Sequence, residues 1–313
     1  DNAGGFQYVE GEYMKADEYD AFLNDPSDFW LRKYLPRIAG VFAPFEALKP
    51  LTHIVELPMT DWSALAMPDV QASLQALIDA GKEYGKYVQT TRPFVVKAMS
   101  SGYPLIASSF CKAPFDTLGD TLRGTKGVMM DMYRRPDKVL AAIDRITTLT
   151  IDTTISAAEK AKSIMITFPL HKGADGWMNQ KQFETFYWPS LRKVINALNN
   201  EGFIVQLFAE GKFDSRFELV NEFPKGFVTW RLDQSDMTLA KKTLGASCCI
   251  WGNLPSSLLV TGTPEQVRER CRQLIETCAP GGGYILTAGA SADETRLENL
   301  KAMVQAAGEY GLY

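Results

Sequence analysis

The chain has 313 residues, 46% of them hydrophobic, and a formal charge of −4 from 33 basic against 37 acidic residues. That is enough apolar material for one large core or two small ones. It excludes the basic footprint of a nucleic-acid binder, and no apolar run approaches the roughly 20 residues of a membrane helix.

The start, DNAGGFQYVEGEYMKADEYD, is acidic and polar and does not read as a signal peptide. The absence of an initiator Met points to a missing N-terminal piece. Residues 1–50 are dense in aromatics and carboxylates and read as a helical arm or cap, packed over the rest of the chain or over a partner. A solvated, charged helix-turn-helix is the alternative. Residues 51–313 read as one catalytic domain.

Within it, short apolar runs alternate with longer amphipathic segments. LTHIVEL (51–57) is a predicted strand, and DVQASLQALIDAGKEYGKYV (69–88) a predicted helix. YPLIASS (103–109) is a strand, followed by a short helical stretch near Thr117–Arg123. Pro136 opens a long helix over 137–161, where Leu140, Ile143, Ile146 and Thr147 recur at helical spacing. SIMITFP (163–169) is the next strand. The helix over 181–202 stops at Asn199, Asn200 and Gly202. FIVQLFA (203–209), GFVTWRL (226–232) and ASCCIWG (246–252) are strands. TPEQVRERCRQLIETC (263–278) is a helix with Thr263 as N-cap, Pro264 at its first position and Gln266 placed for a capping box. GYILTAG (283–289) is the last strand, and ETRLENLKAMVQAAGEYG the last helix.

Seven strand-like runs separated by helices indicate parallel βαβ units. The spacing suits a (β/α)8 barrel or an open doubly wound sheet. The lack of a GxGxxG after an early strand weakens the dinucleotide-binding version. Polar groups stand at the C-terminal ends of several strands: Glu56, His171–Lys172, Glu210, Asp233–Gln234, Asn253, and Ser291 with Asp293. A barrel gathers those ends into one mouth. Cys248 and Cys249 are adjacent in a strand and point to opposite faces, so they do not make a metal site by themselves. Buried structural thiols and a reducing, cytoplasmic setting fit the cysteine pattern.

Four stretches, taken together and in order, resemble the uroporphyrinogen decarboxylase superfamily. APFDTLGDTLRGTKGVMMDMYRRPDKVLAAIDRIT resembles its short helix, arginine-arginine-proline and long helix. DGWMNQKQFETFYWPSLRKV resembles its glycine-to-proline helix entry, and WGNLPSSLLVTGTPEQVRERCRQLIE its glycine-asparagine and threonine-proline-glutamate stretch. GGGYILTAGASADETRLENLKAM resembles the closing strand and helix. The resemblance covers roughly residues 100 to 310 and implies a TIM-barrel-like α/β fold with its site at the strand C-termini. It also implies one of two chemistries, decarboxylation of a tetrapyrrole or methyl transfer between a small molecule and a cobalt corrinoid. Homodimers are a further implication by analogy.

The zinc motif of the methyltransferase branch, histidine-x-cysteine-glycine with a later cysteine, falls on Phe208, Ala209, Glu210 and Gly211, and on Ala290. Phe208 and Ala290 cannot bind a metal, so no zinc is expected. In the decarboxylase branch, a histidine falls on Ala290, a tyrosine on Asp120, a serine near Gly173 and a substrate-gripping aspartate on Glu56. Arg231 is the arginine found at a strand end, too few for a substrate with many carboxylates.

The expectation is therefore a methyltransferase that works on a small methylated or methoxylated substrate with a corrinoid (cobalamin) carried by a partner protein. Glu210, His171 and Asp120 are its candidate catalytic residues. Glu56, Asp233, Gln234, Asn253, Trp177 and Phe208 are candidates for binding the substrate. Glu210 follows a nearly apolar strand, which predicts a low-dielectric pocket and a general acid; a structural pairing with Lys212 is the alternative. His171 either shuttles a proton or caps a loop with Asp175, while His53 reads as a strand histidine. A decarboxylase with a replaced catalytic set and a non-catalytic binding barrel stay open.

Overall fold

The computed structural model describes residues 8–50, 58–102, 109–290 and 294–311, with the side chains of 58–61 excepted. The predicted strand at 51–57, with His53 and Glu56, lies outside the described residues, as do Ser291 and Asp293. The chain forms two compact units, Asp1–Leu105 with Thr117–Arg145, and Ile106–Asp116 with Ile146–Tyr313. The boundary expected at residue 50 falls inside the first of them.

In the first unit the N-terminal segment is not solvated. It winds through short helices, Tyr19–Asn24 and Pro26–Phe29 among them, and buries Tyr19, Phe22, Phe29 and Tyr34. Asp25 caps the second of these by accepting from Ser27 N and Asp28 N. A buried ionic knot ties this segment to the helix Gly124–Arg134. The Arg123 Nε donates to Asp131 Oδ2 at 2.7 Å, and the Tyr19 hydroxyl donates to the same oxygen at 2.9 Å. Arg123 Nη1 also donates to the Met14 carbonyl and to Glu12 Oε1. The helix expected over 69–88 runs further, over Pro68–Ser100, through Pro93. It leaves Tyr84, Phe94 and Val96 exposed.

The second unit is built on six parallel strands, paired in consecutive order among the described residues. They are β1 (Ser109–Phe110), β2 (Met165–Leu170), β3 (Ile204–Ala209), β4 (Val228–Leu232), β5 (Cys249–Trp251) and β6 (Tyr284–Ile285). Of the run predicted over 103–109 only Ser109 is described, and β5 and β6 are shorter than expected. Consecutive order decides between the two architectures left open by the spacing. A doubly wound sheet reverses its order at a switch point; a TIM-barrel wall does not. The fold is α/β and TIM-barrel-like.

The central strands are apolar because both faces are covered. Ile166, Phe168, Val205, Leu207, Val228 and Trp230 are fully or almost fully buried. Leu191, Val194, Ile195 and Leu198, on one face of the helix Trp188–Asn200, are buried too. That helix follows a π-turn at Phe183–Tyr187. Pro189 has no N–H to return to the preceding turn, which accounts for the local widening. The helix Pro264–Cys278 starts with the expected capping box: Gln266 N donates to Thr263 Oγ1 at 3.3 Å, and Thr263 N to Gln266 Oε1 at 2.9 Å. Among the described residues no helix is long and apolar enough to cross a membrane.

Replacing Asp131 by Ala leaves the Arg123 guanidinium buried without its carboxylate, so stability should fall by roughly 3–5 kcal/mol, read from urea denaturation midpoints. The five cysteines are free, and burial pushes the thiols of Cys111, Cys271 and Cys278 up to about 11 from an ordinary 9.0. Such thiols stabilise the fold while they are protonated in both states. That contribution is lost as pH rises from about 9, where the unfolded thiols ionise, to about 11. The midpoint measured across this window should decline.

Candidate functional site

The parallel register aligns side chains across the sheet. Pro169 pairs with Phe208, Phe208 with Arg231, Arg231 with Trp251, and Trp251 with Ile285. Because alternate residues of a strand share a face, Gln206, Phe208 and Glu210 follow one another on β3, and Thr229, Arg231 and Asp233 on β4. One step beyond the row of Phe208 and Arg231, at the C-terminal edge, stand His171, Glu210 and Asp233. The ladder reaches that edge: Glu210 N donates to Leu170 O at 3.2 Å, and Asp233 N to Ala209 O at 3.3 Å. Deeper on the same face Thr167 Oγ1 donates to Gln206 Oε1 at 2.9 Å.

Two of the sequence-derived catalytic candidates meet here. His171 Nε2 lies 3.5 Å from Glu210 Oε2. The expected low-dielectric pocket around Glu210 is corrected, since its side chain is 44% exposed and that of His171 is 35% exposed. The reason is local. β3 ends at Ala209, and Gly211 turns the chain with φ +87°, a conformation glycine adopts without strain. Glu210 is therefore held at the rim. The pairing with Lys212 does not form, because Lys212 reaches Asp214 instead at 3.1 Å. Asp175 is engaged by Ser215, whose Oγ donates to it at 2.7 Å.

Asp233 locks the rim. Its Oδ2 accepts from Gly211 N at 3.1 Å, next to Glu210. A Cβ at Gly289 would stand 2.9 Å from the Asp233 carbonyl and from its Oδ1, so the chain after β6 passes Asp233 at glycine distance. Asn253 Nδ2 donates to the carbonyls of Asp233, at 3.1 Å, and Ser235, at 2.8 Å. Asp233, Gln234, Asn253, Ser256 and Ala290 line a cavity of about 550 Å³. The Oδ1 of Asn253 and the Oγ of Ser256 are enclosed with no hydrogen-bond partner among the described residues.

Phe208 and Ala290 are not empty of neighbours. The Arg231 guanidinium lies 4.2 Å over the Phe208 ring, and its Nη2 donates to the Ala290 carbonyl at 3.0 Å and the Ala288 carbonyl at 3.4 Å. Burial works against the Arg231 charge, while Glu210 and Asp233 favour it. Trp177 packs edge-on against Phe115 at 5.6 Å, and the Lys172 ammonium stands 5.4 Å from its ring. Asp120 is buried and belongs to the first unit, whereas Glu210, His171 and Asp233 belong to the second.

Asp116 was missed by the sequence reasoning and organises the loop after β2. It is fully buried, and its carboxylate accepts from His171 N at 3.0 Å, Lys172 N at 2.9 Å and the Tyr187 hydroxyl at 2.7 Å. A carboxylate inside APFD was the available signal. Its partners lie 55 to 71 residues away and leave no local trace.

A consecutively ordered parallel sheet with its ionisable groups collected at one edge is the layout of a barrel enzyme. The chain belongs to the uroporphyrinogen decarboxylase family, whose model, "Uroporphyrinogen decarboxylase (URO-D)", matches residues 55–310. It is 26% identical over 262 residues to a uroporphyrinogen decarboxylase of Geobacter metallireducens, covering 80% of this chain and 72% of that protein. Its fold is similar to that of a methyltransferase from Methanosarcina mazei, with TM-score 0.56 and 21% identity over 65% of this chain. That match spans only 58% of the Methanosarcina chain.

Zinc does not fit this edge. Phe208 and Ala290 offer no ligand atom, and a guanidinium lies against both. Among the described residues no cluster of three His, Cys, Asp or Glu side chains could hold a metal ion.

Replacing Asp116 by Ala strands two backbone N–H donors and the Tyr187 hydroxyl in a buried site. Hydrogen bonds to a charged acceptor are each worth about 1.5–3 kcal/mol. The expected outcome is a lower denaturation midpoint together with faster hydrogen exchange at His171 and Lys172.

Proposed function

We propose that the protein is a corrinoid-dependent methyltransferase, acting on a small methylated molecule at the C-terminal edge of the sheet. The observation that carries this reading is the His171–Glu210 pair at 3.5 Å, standing at the rim beside a single arginine of the inner face. A methyl ether is a poor leaving group until its oxygen is protonated, and a carboxylic acid at the rim can supply that proton. Glu210 donates to the leaving oxygen as the carbon–oxygen bond breaks. His171, in its protonated form, returns the proton to Glu210 between turnovers. Asp233 holds Glu210 in place through the Gly211 N–H. The corrinoid, as the cargo of a partner protein, accepts the methyl group at its cobalt. A cavity of about 550 Å³ suits a small molecule.

One observation favours a second reading. The 26% identity to the Geobacter decarboxylase extends over 72% of that protein. Against it, a tetrapyrrole with many carboxylates calls for several bidentate arginines. The row formed by Pro169, Phe208, Arg231, Trp251 and Ile285 contains one, and Arg270 is the one arginine lining the cavity among the described residues.

The test is methyl transfer from a panel of methoxylated compounds to a reduced corrinoid, followed by visible absorbance, with release of carbon dioxide from uroporphyrinogen measured in parallel. Glu210→Gln should reduce methyl transfer about 10²–10⁴-fold without moving the unfolding midpoint, because the side chain is largely at the surface. Undiminished transfer in this variant sinks the role of Glu210. Carbon dioxide release with no methyl transfer moves the protein to the decarboxylase reading.

A further inference from the structure

Where the resemblance puts zinc ligands, at positions 208 and 290, the structure puts an arginine. We propose that Arg231 is the substrate anchor of this edge, and that it binds the carboxylate of an anionic small molecule. The inference rests on the reading of the C-terminal edge as the active site and deepens it by naming the substrate class.

The guanidinium is held but not neutralised by its direct contacts. An aromatic ring on one side and two backbone carbonyls on the other fix its plane. Neither carries a formal charge. Glu210 and Asp233 are near enough to act on it electrostatically, yet neither forms an ion pair with it among the described residues, and both have other partners. The Arg231 Nε is enclosed and donates to nothing. Its Nη1 makes no hydrogen bond among the described residues either, and it is not enclosed. A guanidinium carries five N–H donors in a fixed fork, and here only Nη2 is used.

An enclosed donor without an acceptor is costly. A carboxylate is the acceptor that matches the fork in both charge and geometry. A neutral carbonyl would satisfy one hydrogen and leave the charge uncompensated. The position is also suitable. In the sheet register Arg231 lies one step below Asp233, and Ala290, whose carbonyl it holds, lines the cavity with Asp233 and Asn253. A substrate tied at Arg231 by its carboxylate would extend toward the rim, where Glu210 and His171 stand. Arg231 thus becomes the fixed cation of the site.

Binding is measured by isothermal titration calorimetry on the full chain, with no corrinoid present. The probes are matched pairs of aliphatic and aryl carboxylates and their amides, including 4-methoxybenzoate and 4-methoxybenzamide. Wild-type protein should bind at least one carboxylate ten-fold or more tightly than its amide. Arg231→Gln should erase that preference, and Arg231→Lys should keep part of it, since charge remains but the fork is lost. Unfolding midpoints of both variants check that the fold survives; if Arg231→Gln unfolds, the Lys variant still reads the loss of the fork. No carboxylate preference anywhere in the panel overturns the proposal, as does an undiminished preference in Arg231→Gln. Carboxylate binding without methyl transfer would keep the anchor and remove the methyltransferase reading. Methyl transfer that is indifferent to the carboxylate would do the reverse.

Discussion

The parallel register of β2, β3 and β4 is the constraint on which the site depends. It puts Phe208 beside Arg231 and Arg231 beside Trp251, and it aligns His171, Glu210 and Asp233 one step further on. A slip of one residue in any of these strands would send its inward side chains into the helix layer. The apolar residues that alternate with them resist such a slip. Val205, Leu207 and Ala209 are fully buried on the opposite face of β3, as are Trp230 and Leu232 on that of β4, and none could exchange places with a charge. Core packing and site geometry are therefore two consequences of one alignment.

Above that alignment the loops are fastened by buried and half-buried carboxylates. Asp116 ties down the loop after β2, Asp233 the loop after β3, and Asp175 the segment at Ser215. Each accepts backbone N–H groups that would otherwise be unpaired, which orders irregular chain at little cost in apolar surface. Close backbone approach completes the edge, with Gly289 passing the Asp233 carboxylate where no side chain fits. The result is a fastened rim beside a cavity that Asn253 and Ser256 help to line.

The edge separates an exposed carboxylate from a desolvated cation. A carboxyl enclosed in apolar surroundings gains proton affinity from desolvation. Glu210 stands in solvent at the rim, with an imidazole as its neighbour. Arg231 is the group that is desolvated, and an arginine keeps its charge under such conditions. The edge thus sets a desolvated guanidinium below an exposed imidazole–carboxylate pair.

Much of this was legible in the chain. Apolar runs of six or seven residues, each followed by a polar residue, announced parallel strands with chemistry at their ends. Thr263, Pro264 and Gln266 announced a helix start that the structure reproduces bond for bond. Phe208 and Ala290 offer no metal-ligating atom, which is legible from residue identity alone. These features are local: periodicity, capping and residue identity act over a few positions and can be read in one dimension. What only the tertiary structure decided is pairing. Glu210 meets His171, 39 residues away, rather than its neighbour Lys212; Arg231 reaches the carbonyl of Ala290, 59 residues on; Asp116 closes on Tyr187 across 71. Those contacts arise because strands far apart in the chain lie about 5 Å apart in the sheet, and no local pattern records which strand will be the neighbour.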